Sequence, residues 1–564
     1  MSLLRPAPVP YDALAWAKRP FPERARMVCE AWALQGYGTP PAIYLLHIFK
    51  IALYIGVWVV CCSFTPGLGR LSAIGDWWLS PIAFEKAILW SMMFEGLGLG
   101  CGFGPLTGHY FPPMGGVLHF LRPGTTKAAV FPRLAVLGGT RRSWLDVALY
   151  LALMAATVRA LIAPAIGPSQ ILPIVALVPI VGLCDRTIFL ALRAEHYWTT
   201  AVCFAIAGGS IGGSGGGSGG ASVDWIAGAK AVQLALWFWA GFSKLNHHFP
   251  SVVCVMTSNS PVIRFAWLRR RMYRSYPDDL RPSRLAVAMG HAGTALELTV
   301  PIILLISPGG PTLAIGLVLM LVLHTFITSN VPLGVPLEWN VMVVYGAFAL
   351  FWAHPELRVL DLVAAHPGLA GFLAIMLIAA PLFGNLVPSR LSFLLAMRFY
   401  AGNWPYSVWL FRGESYRKLE RLTKSTPWVY EQLDRFYDRP TSVGLVGKVM
   451  GFRLMHLQGR ALPILIPKAV DRLEDYEYLD GELVAGIVLG WNFGDGHLHR
   501  EPLLAAVQEQ CGFEPGELRC IFVEGQPFGR PTMAYRIHDA ATGLIDAGTL
   551  DVRELRHRQP WAAA

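Results

Sequence analysis

Nine ionisable side chains fall inside or beside long apolar runs in the middle of the chain: Asp185, Arg186, Glu195, His196, Lys230, Lys244, His291, Glu297 and His324. An ionisable group at membrane depth costs about 2.5–3.5 kcal/mol on insertion scales, so it needs a partner, a water-filled cavity or a function. The chemistry open to such groups is proton transfer. Burial disfavours the charged form of a lysine and makes it a usable base, while a buried carboxylate either pairs with a base or takes up a proton. Lys230 and Lys244 are 14 residues apart, close to four helical turns, which places them on nearly one helix face. Glu297 has no Lys or Arg within two turns. Together these residues define an expected polar seam between spans, with His196, His291 and Glu297 lining a cavity around Lys244. Each has a plainer alternative. Lys244, followed by Leu245, Asn246, His247 and His248, also suits an interfacial anchor. Lys230 also suits a pair with Asp224 or Asp185, and His291 and His324 suit histidines hydrogen-bonded between helices.

Two further constellations are less specific. The loop GHYFPPMGGVLHFLRPGTTK carries His109 and His119 among aromatic, Pro and Gly residues, as an interfacial or re-entrant segment would. The segment WNFGDGHLH presents Asp495, His497 and His499; on a strand, alternate residues would put both histidines on one face. A lone HxH is a weak ligand signal, and no metal site is expected. A Walker loop, HExxH and paired CxxC are all missing, which removes support for nucleotide-driven pumps, kinases and zinc proteases. The nine cysteines form no framework, so no structural disulfide is expected.

The elements that must position these groups are membrane helices. Of 564 residues, 54% are hydrophobic and 15% charged, against about 45–50% and 25% in soluble domains. Apolar runs near 45–64, 80–102, 144–164, 170–192, 197–208, 222–245, 285–307, 311–330, 338–353 and 366–387 read as about ten spans. The net charge of +10 gathers in alternate loops, including Arg122, Lys127, Arg133, Arg141 and Arg142, then Arg264, Arg269, Arg270, Arg271, Arg274, Arg281 and Arg284. The connections at 165–169, 209–221 and 308–310 carry no Lys or Arg. That alternation predicts both termini in the cytoplasm and a protein of the bacterial inner-membrane type, with no nucleic-acid partner. The first 30 residues lack the apolar core of a signal peptide. The stretch GGSIGGSGGGSGG reads as a solvated linker. After about residue 390 charges recur every few residues, with a helix expected from Glu414 to Tyr437 and strands at LRCIFVE and TMAYRIHD. The expected fold is therefore mainly α, a polytopic integral membrane helical bundle with a C-terminal soluble α+β domain. Its expected divisions are 1–143 (arm, two spans and basic loop), 144–388 (transmembrane core) and 389–564 (soluble domain).

The text WFWAGFSKLNHHF resembles the most recognisable segment of the vitamin K-dependent gamma-carboxylases and their bacterial relatives, the horizontally transferred transmembrane (HTTM) family. Upstream, AEHYWTTAVCFAIA is similar to the family's Asn-His-Ser-Tyr helix start, with His196 on the histidine and Glu195 in place of the asparagine. Downstream, MGHAGTALELTVPIILL and LHTFITSNVPLGVPLEWNVMVVY resemble the next family helices, so the likeness covers about 145–385. The resemblance implies a carboxylase-like membrane lyase. Lys244 would be the base that starts oxygenation of a reduced naphthoquinone, and His196 would assist the carbanion step. The polar seam read from the residues adds His291 and Glu297 to the catalytic set, with His324, Lys230 and Asp185 towards the cofactor. The substrate would be a quinol, lipid or other apolar molecule. The alternative is a non-catalytic lipid-binding or transport component, with the C-terminal domain recruiting a protein partner.

Overall fold

The computed structural model describes residues 3–102, 104–110, 115–134, 137–208, 224–330 and 336–562. Each of the ten apolar runs coincides with helix. Among the described residues five helices are long and apolar enough to cross a membrane: Pro41–Ser63, Trp144–Ile162, Arg284–Ile306, Gly310–Thr328 and Pro367–Leu386. The other runs are shorter or more polar, namely Pro81–Gly96, Pro168–Cys184, Tyr197–Ala207, Trp225–Ser243 and Leu337–Trp352. A hydrocarbon core of about 30 Å takes about 20 helical residues. Most of this second group therefore falls short, and Trp225–Ser243 carries Lys230 and Gln233 and is buried on nearly every side.

Local sequence explains where these helices start. Proline occupies the first turn of Pro41–Ser63, Pro81–Gly96, Pro168–Cys184 and Gly310–Thr328, where the missing N–H costs nothing. Ser143 and Asp146 form a reciprocal capping box at Trp144–Ile162. Ser283 Oγ accepts from Ala286 N–H at the head of Arg284–Ile306. Two stretches, Ala347–Trp352 and Ile375–Ala379, widen into π-helix, a local form common at functional positions. The linker GGSIGGSGGGSGG lies, beyond its first residue, outside the described residues.

A short hairpin, β1 (Tyr273–Ser275) and β2 (Asp279–Pro282), lies before the Arg284–Ile306 helix. The C-terminal part holds a five-stranded antiparallel sheet: β3 (Tyr406–Arg412), β4 (Tyr476–Asp480), β5 (Leu518–Val523), β6 (Thr532–Asp539) and β7 (Gly543–Asp551), ordered β4-β3-β5-β6-β7. Val408 pairs with Ile521 and Leu410 with Tyr478, so β3 is an interior strand. Residues Tyr406 to Phe411 are all buried, as expected of a strand covered on both faces. Both strands expected from sequence, at LRCIFVE and TMAYRIHD, are present as β5 and β6.

Two local expectations are corrected. Glu414 to Tyr437 is not one helix but a 3-10 turn, Ser415–Arg421, and a short helix, Val429–Leu433. Pro427 removes a backbone donor between them and disfavours helix at the residue before it. WNFGDGHLH is not a strand either. Gly490 ends the preceding helix at φ 77°, Gly494 turns the chain at φ 67°, and Asp495 Oδ1 accepts from His497 N–H at 3.1 Å.

The N-terminal arm packs against the C-terminal part. Its helix Phe21–Gln35 lies on helix Arg439–Met455, with the Trp32 and Phe452 rings 5.7 Å apart. Lys448 Nζ donates to the carbonyls of Ala7 and Tyr37, both at 3.0 Å. One hydrophobic core runs through arm, helices and sheet, and all nine cysteines are buried and free.

Candidate functional site

Lys244 stands at the C-terminal cap of Trp225–Ser243, and its ammonium is ion-paired with the Glu297 carboxylate of the Arg284–Ile306 helix. The side chains are 9% and 6% exposed. Gly241 makes the pair possible. A Cβ there would stand 2.9 Å from Leu298 Cγ, so only glycine lets the two helices approach this closely. The Lys244 ammonium also lies 5.3 Å from the centre of the Phe249 ring. Asn246 Oδ1 accepts from the backbone N–H groups of His248 and Phe249 at 2.7 and 3.1 Å, which turns the chain into helix Phe249–Asn259. His248 Nε2 meets Gln526 Oε1 at 2.8 Å, tying this turn to the C-terminal domain. Burial takes the His248 imidazole down to about 4, against a smaller upward pull from Gln526.

The other expected residues are held apart from this pair. His324 accepts from Trp237 Nε1–H at 2.9 Å through Nε2 and sits 2.7 Å from Asn340 Oδ1 through Nδ1, which fixes the neutral Nδ1–H tautomer. His196 Nδ1 accepts from Trp339 Nε1–H at 3.1 Å. Lys230 pairs with neither Asp224 nor Asp185: its Nζ donates to the carbonyls of His354 and Leu357, both at 2.6 Å. Asp185 bonds Arg142 Nη2 at 2.6 Å and caps helix Arg186–Ala191 through Thr187 N–H at 2.9 Å. His291 is exposed on the outer face of its helix. Of the seven expected site residues, only Lys244 and Glu297 touch.

A second centre was not anticipated from the sequence. Glu95, at the end of Pro81–Gly96, accepts from Cys101 N–H at 2.8 Å and from the Cys101 thiol at 3.1 Å. Glu338 Oε2 pairs with Lys50 Nζ at 2.8 Å, and Arg193 Nη1 donates to Cys101 Sγ at 3.6 Å while its Nε donates to Glu195 Oε1 at 2.8 Å. A Cβ on Gly100 would collide with the Glu95 carboxylate, so the glycine admits this cluster. Donor atoms of Glu95, Cys101 and Glu338 lie within 4.8 Å of one another, a spacing that suits a metal. Lys50 and Arg193 already supply positive charge there. The signal available in sequence was Lys50, an ammonium in the middle of the first apolar run.

Three consecutive residues of helix Leu337–Gly346 each hold a buried ionisable group: Glu338 holds Lys50, Trp339 holds His196 and Asn340 holds His324. The Arg193 guanidinium stacks on Trp339 at 5.1 Å and on Phe493 at 5.8 Å. Phe493 belongs to WNFGDGHLH, so the C-terminal part closes directly over the buried charges. In that segment His497 bonds Glu524 at 3.1 Å, whereas His499 Nδ1 meets Ser407 Oγ at 2.7 Å. The two histidines thus serve separate partners and do not form a ligand pair.

Residues 1–564 match the family model described as a transmembrane protein of unknown function (DUF3556). The chain belongs to that family. The five apolar helices agree with its description, and the match spans arm, helices and sheet, so these parts form one family unit. No HTTM or carboxylase family model matches. No curated protein and no solved structure matches this DUF3556 chain.

Proposed function

We propose that this integral membrane protein is an enzyme performing acid–base chemistry on an apolar substrate, a quinol or lipid, in the manner the carboxylase resemblance implies. The observation that carries this reading is the buried Lys244–Glu297 pair. Passing the shared proton to Glu297 leaves the Lys244 amine with a free lone pair, ready to take a proton from a substrate hydroxyl. His196, held by Trp339 apart from the pair, keeps the role the resemblance implies, assisting a carbanion step, and a reduced naphthoquinone is the cofactor class to try first.

Mass spectrometry of the protein purified in mild detergent, before and after incubation with reduced naphthoquinone under oxygen, tests the proposal. It predicts a bound quinone or lipid and an oxidised product from the parent, with the same ligand but no product from Lys244→Ala. A bound lipid with no product from either protein would favour a lipid-binding or transport role instead.

A further inference from the structure

Away from the apolar helices, the N-terminal arm and the C-terminal part enclose a cavity of about 200 Å³. Its walls include Trp16 and Arg24 from the arm and Tyr430, Arg439, Glu474 and Glu477 from the C-terminal part. Arg24 is only 6% exposed, yet among the described residues its side chain makes no hydrogen bond and no ion pair, and its Nε is buried without a partner. The Trp16 ring lies 4.9 Å from its Cζ, and the Glu477 and Glu474 carboxylates act on it from across the cavity. A buried guanidinium whose Nε–H has no acceptor is costly, and its fork matches a carboxylate. Arg439, by contrast, is stacked on Tyr430 at 4.1 Å and already bonded to Asp434 at 2.8 Å. Glu477 accepts from Tyr430 Oη at 2.8 Å. Among the described residues Glu474 makes one ion pair, with Arg472 Nε 4.0 Å away, and it faces Arg24 at longer range, which leaves it able to receive a cation.

We propose that this cavity binds a small zwitterion of the α-amino-acid class, its carboxylate on Arg24 and its ammonium on Glu474 and Glu477. The acidic mouth disfavours a simple anion, and the Arg24 guanidinium disfavours a simple cation, whereas one molecule carrying both charges satisfies both. The volume lies below the ~300–1,000 Å³ of sites for drug-sized ligands, which limits the occupant to about one amino acid. Trp16 and Tyr430 favour an apolar or aromatic side chain. Because the walls come from opposite ends of the chain, the occupant would also fasten the arm to the sheet domain. This site is independent of the Lys244 reading.

Isothermal titration of the full chain in detergent with a panel of free amino acids, their N-acetyl forms and their amides tests the assignment. At least one free amino acid should bind saturably, and blocking either charged end should weaken it tenfold or more. Arg24→Lys, which keeps the charge but loses the fork, and Glu474→Gln, at the partly exposed mouth, should each weaken binding tenfold or more. If Arg24→Lys does not fold, Glu474→Gln and the blocked ligands still decide. No saturable binding from the panel, or equal binding of free and blocked forms, would overturn the proposal.

Discussion

Lys244 and Glu297 neutralise each other where neither charge would be tolerated alone. Removing one partner leaves the other buried and uncompensated, which costs about 3–5 kcal/mol, whereas replacing both by apolar side chains of similar volume is often neutral. Glu297→Met should therefore lower the thermal midpoint in detergent by several degrees, and the double variant Lys244→Met, Glu297→Met should recover most of it. Equal midpoints for the single variant and the parent would show that the pair is solvated. Both residues were legible as sequence, because apolar surroundings make an ionisable residue conspicuous. Their contact was not, since nothing in a linear pattern says which of several buried bases faces Glu297. The Glu95–Cys101–Glu338 cluster was hidden for the same reason: Glu338 joins it from 237 residues beyond Cys101.

Helix positions were read well, since a long apolar run is its own signal. Turns inside the C-terminal part were not, because the hydrophobic pattern of WNFGDGHLH does not reveal the positive φ at Gly490 and Gly494. Close helix approach is another feature set by a single small residue. Gly241→Val places methyl groups against Leu298 and should push the Lys244 and Glu297 helices apart. Its expected cost is about 1–3 kcal/mol, read as a lower thermal midpoint, together with loss of any Lys244-dependent turnover. Full turnover in that variant would separate the pair's geometry from the chemistry. At the cluster, Glu338→Gln breaks the buried ion pair with Lys50 in the first apolar helix, and a lower thermal midpoint is expected on unfolding.

The whole molecule should be acid-sensitive through histidines that are buried neutral outside the apolar helices. Burial takes His248 to about 4 and His456 to about 3, and it holds His499 well below its ordinary value. In the unfolded chain each takes up its proton near pH 6.5. Their folded values are depressed, so the unfolded state binds more protons below that pH, and stability falls as the pH drops from about 6.5 towards 4. At pH 5 His248 and His456 each remove about 2 kcal/mol relative to pH 8, His499 acts in the same direction, and the thermal midpoint should drop accordingly. An unchanged midpoint between pH 8 and pH 5 would contradict their burial. The arm, helices and sheet share one core and one family match, so this loss should be cooperative rather than confined to the C-terminal part.

The measurement that bears most directly on the central claim is oxygen uptake by the purified chain in lipid nanodiscs supplied with a reduced naphthoquinone. The account predicts uptake by the parent that falls about 10²–10⁴-fold in Lys244→Ala, the usual range for losing a general base. Parent-level uptake by a folded Lys244→Ala protein would contradict it.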